Sequence, residues 1–332
     1  MKRNVAYAGT GENVSWPATE TSDAIIAYDL DTGAKRWIVQ ATTADIWNYA
    51  CGRRGANCDW PGEYHSPDHD FGATAMLIER KDGSELVIAG QKSGVVWAIN
   101  PDNGQQVWSN KVGRGSANGG AHWGLAFDGE LIFAPMNDPN RPPTAGENPA
   151  FGPGIHALDA MTGEIRWSYK PNQRDCGADM PAARAYTPTS EWRMQAVTAP
   201  VLPTPRLATP PRPVVTTPAA APGATTAAAP PARPTGVCRL GMSPAPLVVD
   251  GAVVTGTTQG MLRIFDGKTG DVLFEYMTNR EFPNTVNGIE GHGGGLDSAP
   301  YIAGDGTLFV QSGYARFGEP PGNVLIAFRP RR

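Results

Sequence analysis

One short unit recurs along this chain of 332 residues and constrains its fold more than any other feature. In each copy an apolar stretch runs into Asp/Asn-x-x-Thr/Asn-Gly, and an aromatic residue follows shortly after the glycine. The copies lie at residues 24–37, 95–108, 155–167 and 262–274, with a shortened copy at 323–328. The Asp or Asn side chain can bond the turn backbone, and the glycine supplies a positive φ. The unit therefore predicts a β-hairpin whose second strand carries the aromatic residue.

A further glycine-ended apolar strand precedes some of these hairpins, as at residues 86–90 and 252–256. Together they make about four strands per unit, the size of a propeller blade. We therefore predict an all-β fold: a single, partial β-propeller domain over residues 1–332, with about four to five blades. The copies are spaced more widely than blades of roughly 40 to 50 residues, so the excess should lie in loops. Residues 188–234 form a Pro/Ala/Thr-rich insert, which we expect to be disordered or polyproline-like.

Composition narrows the classes of function. A net charge of -4 argues against a nucleic-acid partner, and no apolar run is long enough for a membrane span. The basic start of the chain is not followed by an apolar stretch of the signal-peptide type, so no export signal is expected in the sequence as written.

The four cysteines fall into two groups, Cys51 with Cys58 and Cys176 with Cys238. An even count with one close pair fits disulfides in an oxidising compartment, and four free thiols are the alternative. A zinc site is less favoured, because no CxxC or HxxxH spacing accompanies the cysteines.

The repeats resemble the tryptophan-docked blades of the quinoprotein alcohol dehydrogenases, which depend on pyrroloquinoline quinone (PQQ). Within that family the chain is similar to the polyvinyl alcohol dehydrogenase branch. The segments that carry this resemblance are residues 9–13, 90–94, 119–124, 285–288, 312–314 and 321–324. The resemblance implies an eight-bladed propeller with PQQ and Ca²⁺ near its axis, of which this chain is the C-terminal portion. It also implies that some cofactor and metal contacts lie upstream of Met1, so we expect this chain alone to be weakly active or inactive.

The same resemblance implies roles for several acidic residues. Asp70, in the segment Asp-His-Asp-Phe-Gly, stands where the family has its catalytic aspartate, and Asp68 is the alternative. Glu12 or Asn13 stands at the position of a metal ligand, so Glu12, Asn13 and Asp70 form the candidate calcium site, since Ca²⁺ prefers oxygen donors. The alternative is that Asn13 shapes a turn, Glu12 points to solvent and the aspartates cap a polar loop.

Other residues correspond to cofactor contacts. Lys92 matches a basic residue that faces the quinone oxygens and the catalytic carboxylate, although a lysine on a hairpin is more often a solvated charge. His122 and Trp123 follow a glycine pair that would allow close approach to a flat ligand, and blade packing is the alternative for Trp123. Asn287 and Gly288 resemble a further turn that faces the cofactor.

The implied reaction is oxidation of a secondary or polymeric alcohol by proton abstraction and hydride transfer to PQQ. Specificity would come from loops such as residues 45–67 and 147–154. No haem c motif is present, so the electron acceptor would be a separate chain such as a cytochrome c. The family suggests a periplasmic or secreted location, and open propeller edges would allow self-association. The competing hypotheses are a non-catalytic propeller scaffold and an inactive fragment of the enzyme.

Overall fold

The computed structural model describes residues 3–50, 66–138, 141–176, 194–196, 238, 240–315 and 317–330. These residues form antiparallel β-sheets that follow one another along the chain, together with a 3-10 turn at Gln173–Cys176. Over these ranges, no helix has the length and apolar character needed to cross a membrane.

The first sheet has three strands, and each of the next two sheets has four. Sheet one contains β1 (Val5–Gly9), β2 (Ala24–Asp29) and β3 (Lys35–Gln40). Sheet two contains β4 (Met76–Glu79), β5 (Glu85–Gly90), β6 (Val95–Ile99) and β7 (Gln106–Lys111). Sheet three contains β8 (Ala126–Phe127), β9 (Leu131–Met136), β10 (Gly154–Asp159) and β11 (Ile165–Tyr169).

Two further four-stranded sheets and a short ribbon complete the described structure. Sheet four contains β13 (Leu247–Val249), β14 (Ala252–Gly256), β15 (Met261–Asp266) and β16 (Val272–Met277). The ribbon consists of β17 (Glu281–Phe282) and β18 (Gly291–His292). Sheet five contains β12 (Met194–Ala196), β19 (Tyr301–Gly304), β20 (Thr307–Ser312) and β21 (Val324–Pro330). The blade-sized sheets agree with the predicted all-β propeller.

The repeated hairpin forms as its sequence predicts. In the first copy, Asp29 Oδ1 accepts hydrogen bonds from the backbone N–H groups of Asp31 at 3.0 Å and Thr32 at 2.9 Å. Gly33 then adopts a φ of 70°, in the left-handed region that favours glycine. The equivalent glycines of the other three copies, Gly104, Gly163 and Gly270, have φ values of 75°, 75° and 77°.

The tryptophans of the first three copies join sheets one, two and three to the sheet that follows each of them. The indole Nε1 of Trp37 donates to Pro101 O at 3.0 Å, and Trp108 Nε1 donates to Ala160 O at 3.2 Å. Both acceptors lie in the turn of the following hairpin, and Trp167 repeats the pattern with Gly267 O at 2.8 Å. Each ring also lies against the next turn glycine: a Cβ added to Gly163 would be 2.5 Å from the Trp108 ring. The sequence unit thus specifies the docking of sheets as well as the hairpin.

Part of the proline-rich insert has a structure that composition did not predict. Met194–Ala196 forms β12, which pairs antiparallel with β21 and occupies the outer edge of sheet five. The expectation of disorder or polyproline structure is therefore wrong for these three residues, because backbone pairing to an open edge compensates for weak local propensity. The rest of the segment 188–234 lies outside the described residues.

A disulfide and a buried ion pair fasten the end of sheet three to sheet four. Cys176 is bonded to Cys238, so this predicted pairing is confirmed. The neighbouring Asp175 is fully buried and accepts a hydrogen bond from Arg263 Nη2, while Arg263 Nε donates to Glu275 Oε1 at 2.7 Å. Cys51 and Cys58, the other predicted pair, lie outside the described residues.

Candidate active site

Four loops carry most of the predicted site residues, and backbone hydrogen bonds join them. They are residues 10–13 after β1, 66–72 before β4, 91–94 between β5 and β6, and 116–124 before β8. Phe71 N donates to Thr10 O at 3.1 Å, Lys92 N donates to Asp70 O at 2.9 Å, and Ala121 N donates to Gln91 O at 3.2 Å. Loops from three successive sheets therefore form one continuous unit.

Three carboxylates from two of these loops form a tight cluster. Glu12, Asp68 and Asp70 each offer one oxygen, and these oxygens lie within 4.8 Å of one another. The backbone N–H of Glu12 also donates to Asp70 Oδ1 at 3.1 Å. A Cβ at Gly11 would lie 2.7 Å from the same oxygen, so a larger residue here would have to displace the Asp70 carboxylate. The structure thus brings together two predicted residues, Glu12 and Asp70, and the alternative aspartate, Asp68.

Lys92 lies between the two aspartates. Its Nζ donates to Asp68 Oδ1 at 2.7 Å and to Asp70 Oδ2 at 2.5 Å. The lysine side chain is only 10% exposed, so these charge-assisted bonds are shielded from solvent. Lys92 is therefore a buried, paired charge and not a solvated lysine.

The pKa values of the cluster are displaced in opposite directions. Burial alone would raise the pKa of Asp70, but hydrogen bonds from Glu12 and Lys92 outweigh it and lower that pKa. Burial and the neighbouring Asp70 raise the pKa of Glu12 to about 8. Burial, only partly offset by Lys92, raises the pKa of Asp68 to about 6. Asp70 is therefore the carboxylate of this cluster whose ionised form is most favoured, whereas Glu12 keeps its proton at neutral pH.

Two further aspartates stand close to the cluster, and sequence reasoning missed both as site residues. Asp45 Oδ2 accepts the backbone N–H of His69 at 2.9 Å, and its Oδ1 accepts the hydroxyl of Ser66. Asp23 is fully buried, and neither of its carboxylate oxygens has a hydrogen-bond partner among the described residues. Burial, then the negative charges of Asp45, Asp70 and Asp68, raise the pKa of Asp23 to about 8.

The His122 ring is buried near Lys92. Its Nδ1 has no hydrogen-bond partner in the part of the chain that the structure covers. Burial, then the positive charge of Lys92, lower the pKa of His122 to about 4, so the imidazole is neutral at physiological pH. Gly120 has a φ of 62°, and a Cβ there would lie 2.3 Å from Lys92 O. Glycine at this position therefore allows the loop of residues 116–124 to contact the loop of residues 91–94.

Trp123 extends this group toward the last two sheets. Its ring centre is 4.9 Å from that of His122 and 6.2 Å from that of Tyr314. Its buried Nε1 lies near the carboxylate of Asp297, which is 3% exposed and was not predicted. Burial raises the pKa of Asp297 to about 6, although Ser243, the Ser298 backbone and Trp123 favour its ionised form.

A family model described as "Outer membrane protein assembly factor BamB" matches residues 10–124 and 92–200, more than half of the chain. The chain belongs to this family. Over 98% of its residues it is 29% identical to a polyvinylalcohol dehydrogenase of Sphingopyxis sp. (strain 113P3) and 30% identical to one of Pseudomonas sp. It covers 42% of each of these proteins, so it spans less than half of their length. The predicted resemblance to the polyvinyl alcohol dehydrogenase branch is confirmed.

Solved structures agree on the fold of this BamB-family chain. The quinohemoprotein alcohol dehydrogenase ADHIIG of Pseudomonas putida HK5 superposes with a TM-score of 0.52 over 99% of this chain and 47% of that one. The sequence identity is 11%, so this likeness concerns the fold alone. The prediction of a partial β-propeller is confirmed.

The carboxylate cluster of this BamB-family chain has the donor set of a hard-cation site. Glu12, Asp68 and Asp70 supply oxygen ligands, and Ca²⁺ prefers such ligands. The Asp23 carboxyl, with a pKa of about 8, holds a proton near these ligands at neutral pH, and Lys92 already binds two of the aspartates. A divalent cation fits the three clustered oxygens and would favour the ionised form of each carboxyl group.

The remaining predicted residues lie apart from these contacts. Asn13 Oδ1 accepts from the backbone N–H of Thr19 at 2.7 Å, so its side chain shapes a turn, as the alternative interpretation holds. Asn287 is exposed, and its Oδ1 accepts from the hydroxyl of Thr285 at 2.6 Å within its own turn. Gly288 has a φ of 72° in that turn. The side-chain hydrogen bonds of Asn287 among the described residues lie within this turn, and the role of Asn287 and Gly288 toward a cofactor stays a prediction.

Proposed function

We propose that this chain carries the proton-accepting and metal-binding part of the active site of a PQQ- and calcium-dependent alcohol dehydrogenase. The enzyme would oxidise a secondary or polymeric alcohol, such as polyvinyl alcohol, to a carbonyl compound. The observation that supports this most directly is Asp70, held ionised by Lys92 inside a cluster of carboxylates. A general base has to be ionised and within reach of its proton, and the half-buried Asp70 meets the first condition.

The residues of this chain divide the chemical tasks among them. When bound, PQQ supplies the hydride acceptor and calcium supplies a Lewis acid. Asp70 accepts the hydroxyl proton of the alcohol while the hydrogen on the carbinol carbon leaves with its electron pair, and a carbonyl group remains. Lys92 orients Asp70 and favours its ionised form. Glu12 and Asp68 complete the oxygen ligands for the metal together with Asp70.

His122 and Trp123 form the candidate cofactor-facing surface of this chain. The neutral imidazole of His122 has a free Nδ1 within the described structure, and this atom could exchange a hydrogen bond with a polar group of the cofactor. Trp123 is half-buried and presents an aromatic face beside it. Lys92 adds the positive charge that quinone oxygens attract.

The proposal includes the cellular location, the electron acceptor and the association state of the protein. The Cys176–Cys238 disulfide supports a periplasmic or secreted location, because disulfides persist in oxidising compartments. Electrons would leave through a separate acceptor such as a cytochrome c. Strand β1 is an edge of sheet one within the described structure, so self-association through edges stays part of the proposal.

A scaffold in membrane-protein assembly is the second candidate, because the matching family model is described as BamB. The buried lysine between two aspartates argues against it. Desolvation of these charges reduces the stability of the fold. In a purely structural propeller, a cluster of apolar side chains would hold the same loops together without that cost.

The test is dye reduction by the purified chain with PQQ, CaCl₂ and 2,4-pentanediol, a small secondary alcohol, combined with equilibrium dialysis of Ca²⁺. We expect weak dye reduction that falls by about 10²- to 10⁴-fold in Asp70→Asn, the range for loss of a general base. Asp82→Asn is the matched control, since Asp82 lies in an exposed turn where it binds the Ser84 backbone. Glu12→Gln should weaken Ca²⁺ binding, whereas Asp82→Asn should not.

Calcium binding that is equal in the native chain, Glu12→Gln and Asp70→Asn would contradict the metal site. Dye reduction that survives in Asp70→Asn at the rate of Asp82→Asn would contradict the assignment of the base.

A further inference from the structure

Two aromatic side chains of the described structure are largely exposed, and both lie beside the candidate active site. Trp16 is 52% exposed and Tyr49 is 76% exposed. Trp16 follows the cluster residue Glu12 closely in sequence, and Tyr49 follows Asp45 at the same short interval. Because a residue spans at most about 3.6 Å of extended chain, the Cα atom of each aromatic residue lies within roughly 15 Å of the Cα atom of an acidic residue of the site.

Contacts between the two loops hold these aromatic residues in one neighbourhood. Asn13 N donates to Asp45 O at 3.2 Å, and Asn48 Nδ2 donates to Val14 O at 3.0 Å. The rings of Trp47 and Tyr49 pack edge to face with their centres 4.8 Å apart. Val14 adds a further apolar side chain that is 65% exposed. We call the surface formed by Val14, Trp16, Trp47 and Tyr49 the aromatic rim.

The two segments that form the rim contain no charged residues. Residues 13–19 and 46–50 contain no Asp, Glu, Lys, Arg or His, whereas the acidic residues Glu12 and Asp45 directly precede them in sequence. The same segments offer amide and hydroxyl groups, among them Asn13, Ser15 and Asn48. This combination suits a neutral ligand that has both C–H faces and hydroxyl groups, and it disfavours an anionic one because the carboxylates would repel it.

We propose that the aromatic rim is a binding subsite for a neutral, polyhydroxylated carbon chain, which it guides across the candidate active site. This inference rests on the proposed function, because it assigns a polymeric alcohol as the substrate. Aromatic faces bind C–H surfaces at low entropic cost, and each ring has few torsions to immobilise. A polymer presents many equivalent hydroxyl groups, so a surface next to the reacting centre increases their local concentration.

The experiment is affinity electrophoresis of the purified chain in native gels that contain increasing concentrations of polyvinyl alcohol. We expect the native chain to be retarded and the affinity to fall on the order of two- to tenfold for Trp16→Ala or Tyr49→Ala, and further for the double variant. Leu325→Ala is the matched control, because Leu325 is a 68% exposed apolar side chain far from the rim in sequence. Size-exclusion chromatography of each variant detects a change in oligomeric state.

The rim is not a polymer subsite if the native chain is not retarded, or if Leu325→Ala loses as much affinity as the rim variants. A shift in oligomeric state without a change in retardation would assign the rim to protein contacts and overturn the proposal. Asp70→Asn separates this inference from the proposed function: it should lose dye reduction and keep its retardation. Loss of retardation in Trp16→Ala alongside unaltered dye reduction in Asp70→Asn would support the rim and contradict the assigned base.

Discussion

Asp23 is a carboxyl group enclosed by protein and surrounded by other acids. Neither oxygen has a hydrogen-bond partner among the described residues, and an ionised carboxylate in that position would be strongly destabilising. Its pKa of about 8 means that the native state retains this proton over a pH range in which the unfolded chain, with an ordinary pKa near 3.8, releases it. The contribution of Asp23 to stability is therefore full below about pH 4 and is lost as the pH rises through 8.

We predict that Asp23→Asn increases the melting temperature at pH 8 by a few degrees and changes it little at pH 4. The amide keeps the volume of the side chain but cannot ionise. Differential scanning calorimetry in the presence of EDTA is the measurement, and Asp82→Asn, in an exposed turn, is the control. An equal shift of the melting temperature at both pH values would show that the native state does not hold a proton on Asp23.

Some residues of the candidate site can be predicted from the sequence around them, and others cannot. Asp70 and Lys92 were predicted because each lies in a short segment with recognisable neighbours, and the structure brings their side chains into contact. Asp23 and Asp297 gave no signal, since an aspartate beside a strand or in a loop is ordinarily a solvated turn residue. Their burial arises from loops distant in sequence, and a local pattern contains no information about such packing.

At the scale of the element, each of the first three sheets carries a tryptophan that reaches the turn of the next hairpin. Trp108 is 9% exposed, and its indole donates to Ala160 O across the boundary between sheets two and three. The side chain therefore stabilises both the hairpin that carries it and the one that receives it. Sequence reasoning found the hairpins and their aromatic residues, but the acceptor carbonyls emerged only from the structure.

Trp108→Ala should reduce the free energy of unfolding by about 3–5 kcal/mol, the usual cost of removing a large buried aromatic side chain. Val107→Ala is the control from the same strand, because Val107 is 48% exposed and should cost well under 1 kcal/mol. Urea unfolding followed by circular dichroism measures both. If the two variants are equally stable, the sheets do not depend on this contact.

At the scale of the whole molecule, the proposed metal would link the first two sheets. Glu12 follows β1 in sheet one, while Asp68 and Asp70 precede β4 in sheet two. A cation held by all three stabilises the native chain only, since the unfolded chain does not keep the ligands together. Stability should therefore depend on the concentration of calcium.

We predict that calcium at 100 times its dissociation constant stabilises the chain by about 2.7 kcal/mol and that EDTA removes this gain. The calcium affinity should increase as the pH rises from 6 to 8, because the metal has to displace the proton that Glu12 holds with a pKa of about 8. Thermal unfolding across a calcium titration at several pH values is the measurement. In Glu12→Gln the pH dependence over this range should shrink, and an unaltered dependence would exclude Glu12 as a ligand.

The pairing of β12 with β21 has a consequence for how sheet five forms. The outer strand of this sheet lies between β11 and β13 in the sequence, whereas its partner β21 lies beyond all the strands of sheet four. Such a long-range pairing is slow to form, and until it forms the edge of β21 is open to other chains. Conditions that delay this pairing should therefore favour association between chains over correct folding.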